Sequence, residues 1–165
     1  MIDFAAIDFA YPESKPENPY KVCLIIVSEG HVVQEFQSYM QLSDPLDTSI
    51  PDEIKDKCEF APSFLSIELI IANLVSKLPI VSCNSAGVKK VFEFVHNRIN
   101  VPIPYGIENI INPCEITGLS FEDSCKKFEI ETEEQTNLID KVFDWAFLYT
   151  TMNIKGLDIQ EKDLD

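Results

Sequence analysis

The chain has 165 residues and 18.7 kDa, a length that suits one α/β-sized domain and excludes a second full one. Apolar residues make up 45% and charged residues 25%, globular proportions that exclude a largely disordered chain. The formal net charge is -15, from 28 acids against 13 bases, and this balance opposes tight binding to phosphate backbones.

The opening run Phe4-Ala5-Ala6-Ile7-Asp8-Phe9-Ala10 is apolar except for Asp8 and stops at Tyr11-Pro12, which predicts a buried strand with one acid near its end. Tyr20 to Ser28 and His31 to Met40 read as two further strands joined by a turn at Glu29-Gly30, giving an antiparallel start of three strands. Leu42 to Ile50 is turn-rich. Pro51-Asp52-Glu53 then has the proline and acids of a first helical turn, so a short helix is expected over 51 to 57. Pro62 opens a longer helix to about Lys77, where the apolar residues Phe64, Ile67, Ile71, Leu74 and Leu78 recur at helical spacing with further apolar residues beside them, so this helix should be heavily buried.

A short apolar strand over 78 to 83 feeds a helix from Ala86 to Ile99, whose stripe is Val88, Val91, Phe92, Val95 and Ile99. Pro102 and Pro104 break the chain, Ile107 to Ile111 is expected as a last strand, and Ser120 to Phe128 as a short helix. Thr132-Glu133-Glu134-Gln135 fits a capping box, which predicts a C-terminal helix starting there with Ile139, Val142, Phe143, Ala146 and Tyr149 facing the core. The expected organisation is one domain over 1 to 155 and an acidic, fraying tail over 156 to 165.

Five cysteines are widely spaced and form no C-x-x-C pair, so buried free thiols are expected rather than a zinc site. The start Met1-Ile2-Asp3 has no basic or long apolar run, and no stretch reaches the ~18 apolar residues that span a bilayer. With free thiols, these features lead to the expectation of a cytoplasmic protein without a membrane partner. His31 lies beside a hairpin turn and His96 in mid-helix, and both read as structural or surface residues.

The element order is mixed α/β, an order shared by many functions, so the motifs must discriminate. Ala6-Ile7-Asp8-Phe9-Ala10 resembles the first motif of the DEDD 3′-5′ exonuclease superfamily, which includes the proofreading subunit of bacterial DNA polymerase III and RNase T. The resemblance covers roughly residues 3 to 150 and rests on several segments in the family's order. Ile50-Pro51-Asp52-Glu53-Ile54 with Ala61-Pro62-Ser63-Phe64 looks like the family's linker, Ile80-Val81-Ser82-Cys83-Asn84-Ser85 is similar to its second motif, and Gln135-Thr136-Asn137-Leu138-Ile139-Asp140 to its third. It implies an RNase H-like exonuclease fold: a mixed central sheet, antiparallel over its three N-terminal strands and flanked by helices.

In active members of the superfamily, four carboxylates hold two divalent cations and a histidine acts as general base. Carried over residue by residue, Asp8 matches the first acid, but Ala10 stands at the second, Val88 at the second motif's aspartate, and Gln135 at the histidine. Asp140 matches the last acid. The metal residues implied are therefore Asp8 and Asp140 alone, enough for at most one weakly held Mg²⁺ or Mn²⁺. Phe9 and Asn84 are the binding residues implied, and the apolar stripe through Val88 suggests that its ligand position is packed.

The leading expectation is a catalytically degenerate exonuclease-like domain that binds a protein or nucleotide partner. Two alternatives stand beside it: a working metal-dependent exonuclease on single-stranded DNA or RNA, with Glu133 or Glu134 joining Asp8 and Asp140, and a non-cleaving nucleic-acid binding module. Homo-oligomerisation is left open.

Overall fold

The computed structural model describes residues 2–100, 106–132, 134 and 137–162. Its elements in chain order are β1 (Phe4–Ala10), β2 (Lys21–Ser28), β3 (His31–Tyr39), α1 (Asp52–Glu59), α2 (Phe64–Val75), β4 (Ile80–Val81), α3 (Ser85–Ile99), a 3₁₀ turn (Ile107–Asn109), α4 (Pro113–Thr117), α5 (Phe121–Lys127) and α6 (Leu138–Lys162). Among the described residues the sheet is four-stranded and mixed, in the order β3-β2-β1-β4, with β1 antiparallel to β2 and parallel to β4. The expected α/β class and antiparallel start are both present.

Local chemistry explains the start. Glu29 and Gly30 both have positive φ, 51° and 79°, the conformation whose twist matches a two-residue hairpin between β2 and β3. A bulge at Ile26/Val27 skips Val33, which is left 62% exposed on the outer strand.

β1 is buried on both faces, and its alternation divides the core. Ala5, Ile7 and Phe9 point to one side, where Ile67, Ile71 and Val75 of α2 and Val88, Val91 and Phe92 of α3 cover them. Phe9 lies 5.9 Å from the Phe64 ring and 5.3 Å from that of Phe92, contacts that contribute about 0.5–1.5 kcal/mol each beyond their buried area. Phe4 and Ala6 point the other way and pack with Val142, Ala146 and Tyr149 of α6. Asp8 shares the parity of Phe4 and Ala6, so β1 aims its one carboxylate at α6.

Four expectations need correction. The strand over 107 to 111 is a 3₁₀ turn followed by one parallel bridge, Val81 to Ile111, held by Ile111 N–H on the Ile80 carbonyl at 2.8 Å and Ser82 N–H on the Ile111 carbonyl at 3.0 Å. The stretch from Asn112 to Gly118, given no element by the sequence reading, is the helix α4: the Asn112 side chain caps Cys114 and Glu115 N–H, Pro113 sits in the first turn, and Gly118 closes the helix at φ 67°.

The C-terminal helix begins at Leu138 rather than Thr132, because Asn137 Oδ1 accepts from Asp140 N–H at 3.0 Å and so fixes the N-terminus there. Thr132 and Glu134 are outside any helix, and Glu133 and Gln135 of the expected capping box lie outside the described residues. The helix also continues through Gly156 to Lys162 instead of fraying after Gly156. Among the described residues no single helix is long and apolar enough to cross a membrane, and the apolar pair α1–α2 bends by 76° at its break.

Candidate functional site

The candidate site lies where β1 and β4 end side by side, between α3, α5 and α6. The parallel register sets Ala5 against Ile80 and Ala6 against Val81, so Asp8 and Asn84 emerge together at the same edge. Asn84 Nδ2 donates to Asp8 Oδ1 at 3.1 Å and to the Tyr11 hydroxyl at 2.9 Å. The first turn of α3 passes underneath. A Cβ on Gly87 would lie 2.0 Å from the Tyr11 hydroxyl oxygen and 2.5 Å from the Asn84 amide, so the close approach of these side chains depends on a glycine there.

Asp8 is completely buried. Its second oxygen, Oδ2, lies 2.9 Å from Lys141 Nζ on α6. The ammonium stands off the direction of an aligned hydrogen bond to Oδ2, so its hold on the carboxylate is chiefly that of a charge pair. Burial raises the Asp8 carboxyl above its ordinary range, while the adjacent Lys141 ammonium, the Asn84 amide and the Phe9 N–H pull it back. Lys141 Nζ also lies 5.1 Å from the centre of the Trp145 ring, one helical turn on. The network runs Tyr11, Asn84, Asp8, Lys141, Trp145, and at its centre a protein cation faces the carboxylate.

Above this network opens a cleft of about 860 Å³, with walls that include Tyr11, Cys83, Asn84, Phe121, Lys141 and Trp145. Ala10 also lines it and supplies no carboxylate. Val88 is fully buried in the apolar cluster with Ile7 and Phe92, so the position where the resemblance expects an aspartate is core. Phe9 is 2% exposed and packs into the same cluster, touching the cleft only at its edge.

Asp140 is exposed on the first turn of α6 and is not among the residues lining the cleft; it is its neighbour Lys141 that reaches Asp8. Gln135 and Glu133 lie outside the described residues, and Glu134 is exposed. His31 is exposed and His96 half-buried, and neither lines the cleft.

The superfamily's two divalent cations do not fit this donor set. Among the described residues no group of three or more His, Cys, Asp or Glu side chains is placed to hold a metal ion. Asp8, the acid at the strand end, already has an amide on one oxygen and an ammonium beside the other. Lys141 and Tyr11 were missed by the sequence reading, which compared acids with acids. The signal for Lys141 was the parity of β1, which turns Asp8 toward α6, together with the need of any buried carboxylate for a counter-charge.

No family model matches the sequence, and no characterised protein matches it. The fold does match solved structures. A 3′-exonuclease described in 3′-end specific recognition of a histone mRNA stem-loop superposes with a TM-score of 0.74 at 13% identity, over 93% of this chain and 64% of that one, so this chain spans less than two thirds of its length. The nuclease domain of 3′hExo, a DEDDh family member bound to rAMP, gives 0.74 at 13% identity, over 93% of this chain and 92% of that one. Exonuclease X in complex with 5′ overhanging duplex DNA gives 0.66 at 15% identity, over 93% of each chain. At these identities the likeness is one of fold: this chain has the RNase H-like fold of the DEDD 3′-exonucleases.

Proposed function

We propose that this chain is a non-cleaving exonuclease-fold domain that acts in the cytoplasm by binding a protein or nucleotide partner. The observation that carries the reading is the 2.9 Å approach of Lys141 Nζ to the buried Asp8, where an active relative would need carboxylates converging on cations. Hydrolysis of a phosphodiester by this fold needs positive charge that is free to contact the scissile group. Here, among the described residues, the cation beside Asp8 is tethered to the chain and neutralises that acid.

The other departures support the same reading. Ala10 and Val88 remove two anionic positions, and Val88 is sealed into the core. The net charge of -15 works against recruiting nucleic acid by its backbone. Five free thiols accord with a reducing compartment. In this reading residues 1 to 155 are the binding unit and residues 156 to 165 an acidic extension.

The test is incubation with end-labelled single-stranded DNA and RNA in Mg²⁺ and in Mn²⁺. No mononucleotide release above a buffer control is expected. Release by the wild-type chain that Asp8→Asn abolishes would overturn the reading.

A further inference from the structure

The geometry points to the cleft above Asp8 as a receptor for a cationic side chain, an arginine or lysine carried on a segment of a protein partner. The inference rests on the reading above and deepens it, because it names the chemistry of the partner. Three features carry it. Among the described residues, the charged ones that line the cleft are Glu13, Glu122 and Lys141. Lys141 is already matched by Asp8 at 2.9 Å, so the two glutamates leave the cavity with negative charge in excess. Both are exposed, and among the described residues neither joins a salt bridge.

Aromatic walls suit the same ligand. Tyr11 from the loop after β1, Phe121 from α5 and Trp145 from α6 meet at one cavity. Planar guanidinium groups and ammonium groups are attracted to ring faces, most strongly to tryptophan. The cleft contains its own demonstration, since the Lys141 ammonium lies 5.1 Å from the centre of the Trp145 ring with a carboxylate behind it. A volume of about 860 Å³ exceeds what one side chain fills, leaving room for the flanking residues of a peptide. An anionic ligand would meet Glu13 and Glu122, and among the described lining residues the one cation, Lys141, is already paired with Asp8.

The test uses the full chain, a capped tetra-arginine peptide, a capped tetra-glutamate peptide and AMP. Trp145 is the single tryptophan, so its emission reports on this cleft, and calorimetry gives affinity and stoichiometry. Saturable one-to-one binding of the arginine peptide with a change in Trp145 emission is expected. Glu13→Gln with Glu122→Gln should weaken it by about tenfold, the combined size of two exposed ion pairs. Asp52→Asn with Glu53→Gln, on the separate helix α1, should leave it unchanged.

Equal weakening by both double variants, or by neither, would overturn the inference, because the acidic surface as a whole would then be responsible. So would the absence of arginine-peptide binding, or an emission change with AMP or tetra-glutamate in its place. None of those results would restore cleavage, so the non-cleaving reading stands or falls separately on mononucleotide release.

Discussion

Replacing Lys141 with methionine keeps the length and apolar stem of the side chain against Trp145 and deletes only the charge. Asp8 remains buried, with Asn84 on Oδ1 and no counter-ion at Oδ2. Breaking a fully buried pair in this way costs about 3–5 kcal/mol. The Lys141 side chain is 38% exposed, so solvent already screens part of the attraction, and the expected loss at neutral pH is about 1–3 kcal/mol. In a domain of this size that lowers Tm by roughly 2–4 °C per kcal/mol.

The loss should also depend on pH. Burial holds the folded Asp8 carboxyl above its ordinary 3.8, so its contribution to stability is fully present below that value and is lost as pH rises through the folded value. Lys141 opposes this rise, so Lys141→Met lifts the folded value further. The deficit of the variant should therefore be least near pH 4, grow as the pH is raised, and level off once Asp8 is ionised in the folded variant. Urea denaturation followed by far-ultraviolet circular dichroism at several pH values measures it. In Asp8→Asn/Lys141→Met no buried charge remains, and the pair should be more stable than Lys141→Met alone. A deficit independent of pH, or a double variant no better than the single one, would refute the charge-pair account.

Other positions give simpler expectations. Val88→Asp should destabilise the fold by about 3 kcal/mol or more, as an acid in a fully apolar cluster must, and should not produce Mn²⁺-dependent mononucleotide release; a stable variant would show the site to be less sealed than it is here. Asp47 is held well below the usual carboxylate range by the Ser49 hydroxyl and N–H, with Lys15 and Asn18 adding to them. Its stabilisation is present above 3.8 and lost as pH falls through the low folded value, so Asp47→Asn should flatten the acid limb of a stability curve below about pH 4. Cys23 is fully buried and burial pushes its thiol up to about 12. Maleimide near pH 7 should leave it unlabelled in the folded chain and label it in urea, and native labelling at the rate of an exposed thiol would contradict the packing.

The first half of the fold was legible because its signals are local. An apolar run with a turn pair of positive φ specifies β1, β2 and β3, and Ser63 capping Ser66 N–H follows the proline that opens α2. Further along, the signals compete. Thr132 and Gln135 looked like a capping box, yet Asn137 directly before Leu138-Ile139 is the cap that the tertiary fit selects. Asn112-Pro113 carried a helix start as clear as any, but five residues are too few to show a periodic stripe.

At the site, Asp8 and Asn84 were each singled out through the resemblance, but their meeting follows only from the parallel register that brings the ends of β1 and β4 level. Lys141 was not, because nothing local distinguishes one exposed-looking lysine from another. Its role follows from the packing of α6 against the Phe4, Ala6 and Asp8 face of β1, a long-range relation fixed only when the core closes.

On the proposed reading, Lys141 stands where cations would have to bind. A crystal of the chain soaked in MnCl₂ and measured at the manganese absorption edge tests it directly. Lys141 Nζ should remain beside Asp8 with no anomalous peak within coordination distance of that carboxylate. Ordered manganese at Asp8, with the Lys141 side chain swung away into solvent, would contradict it.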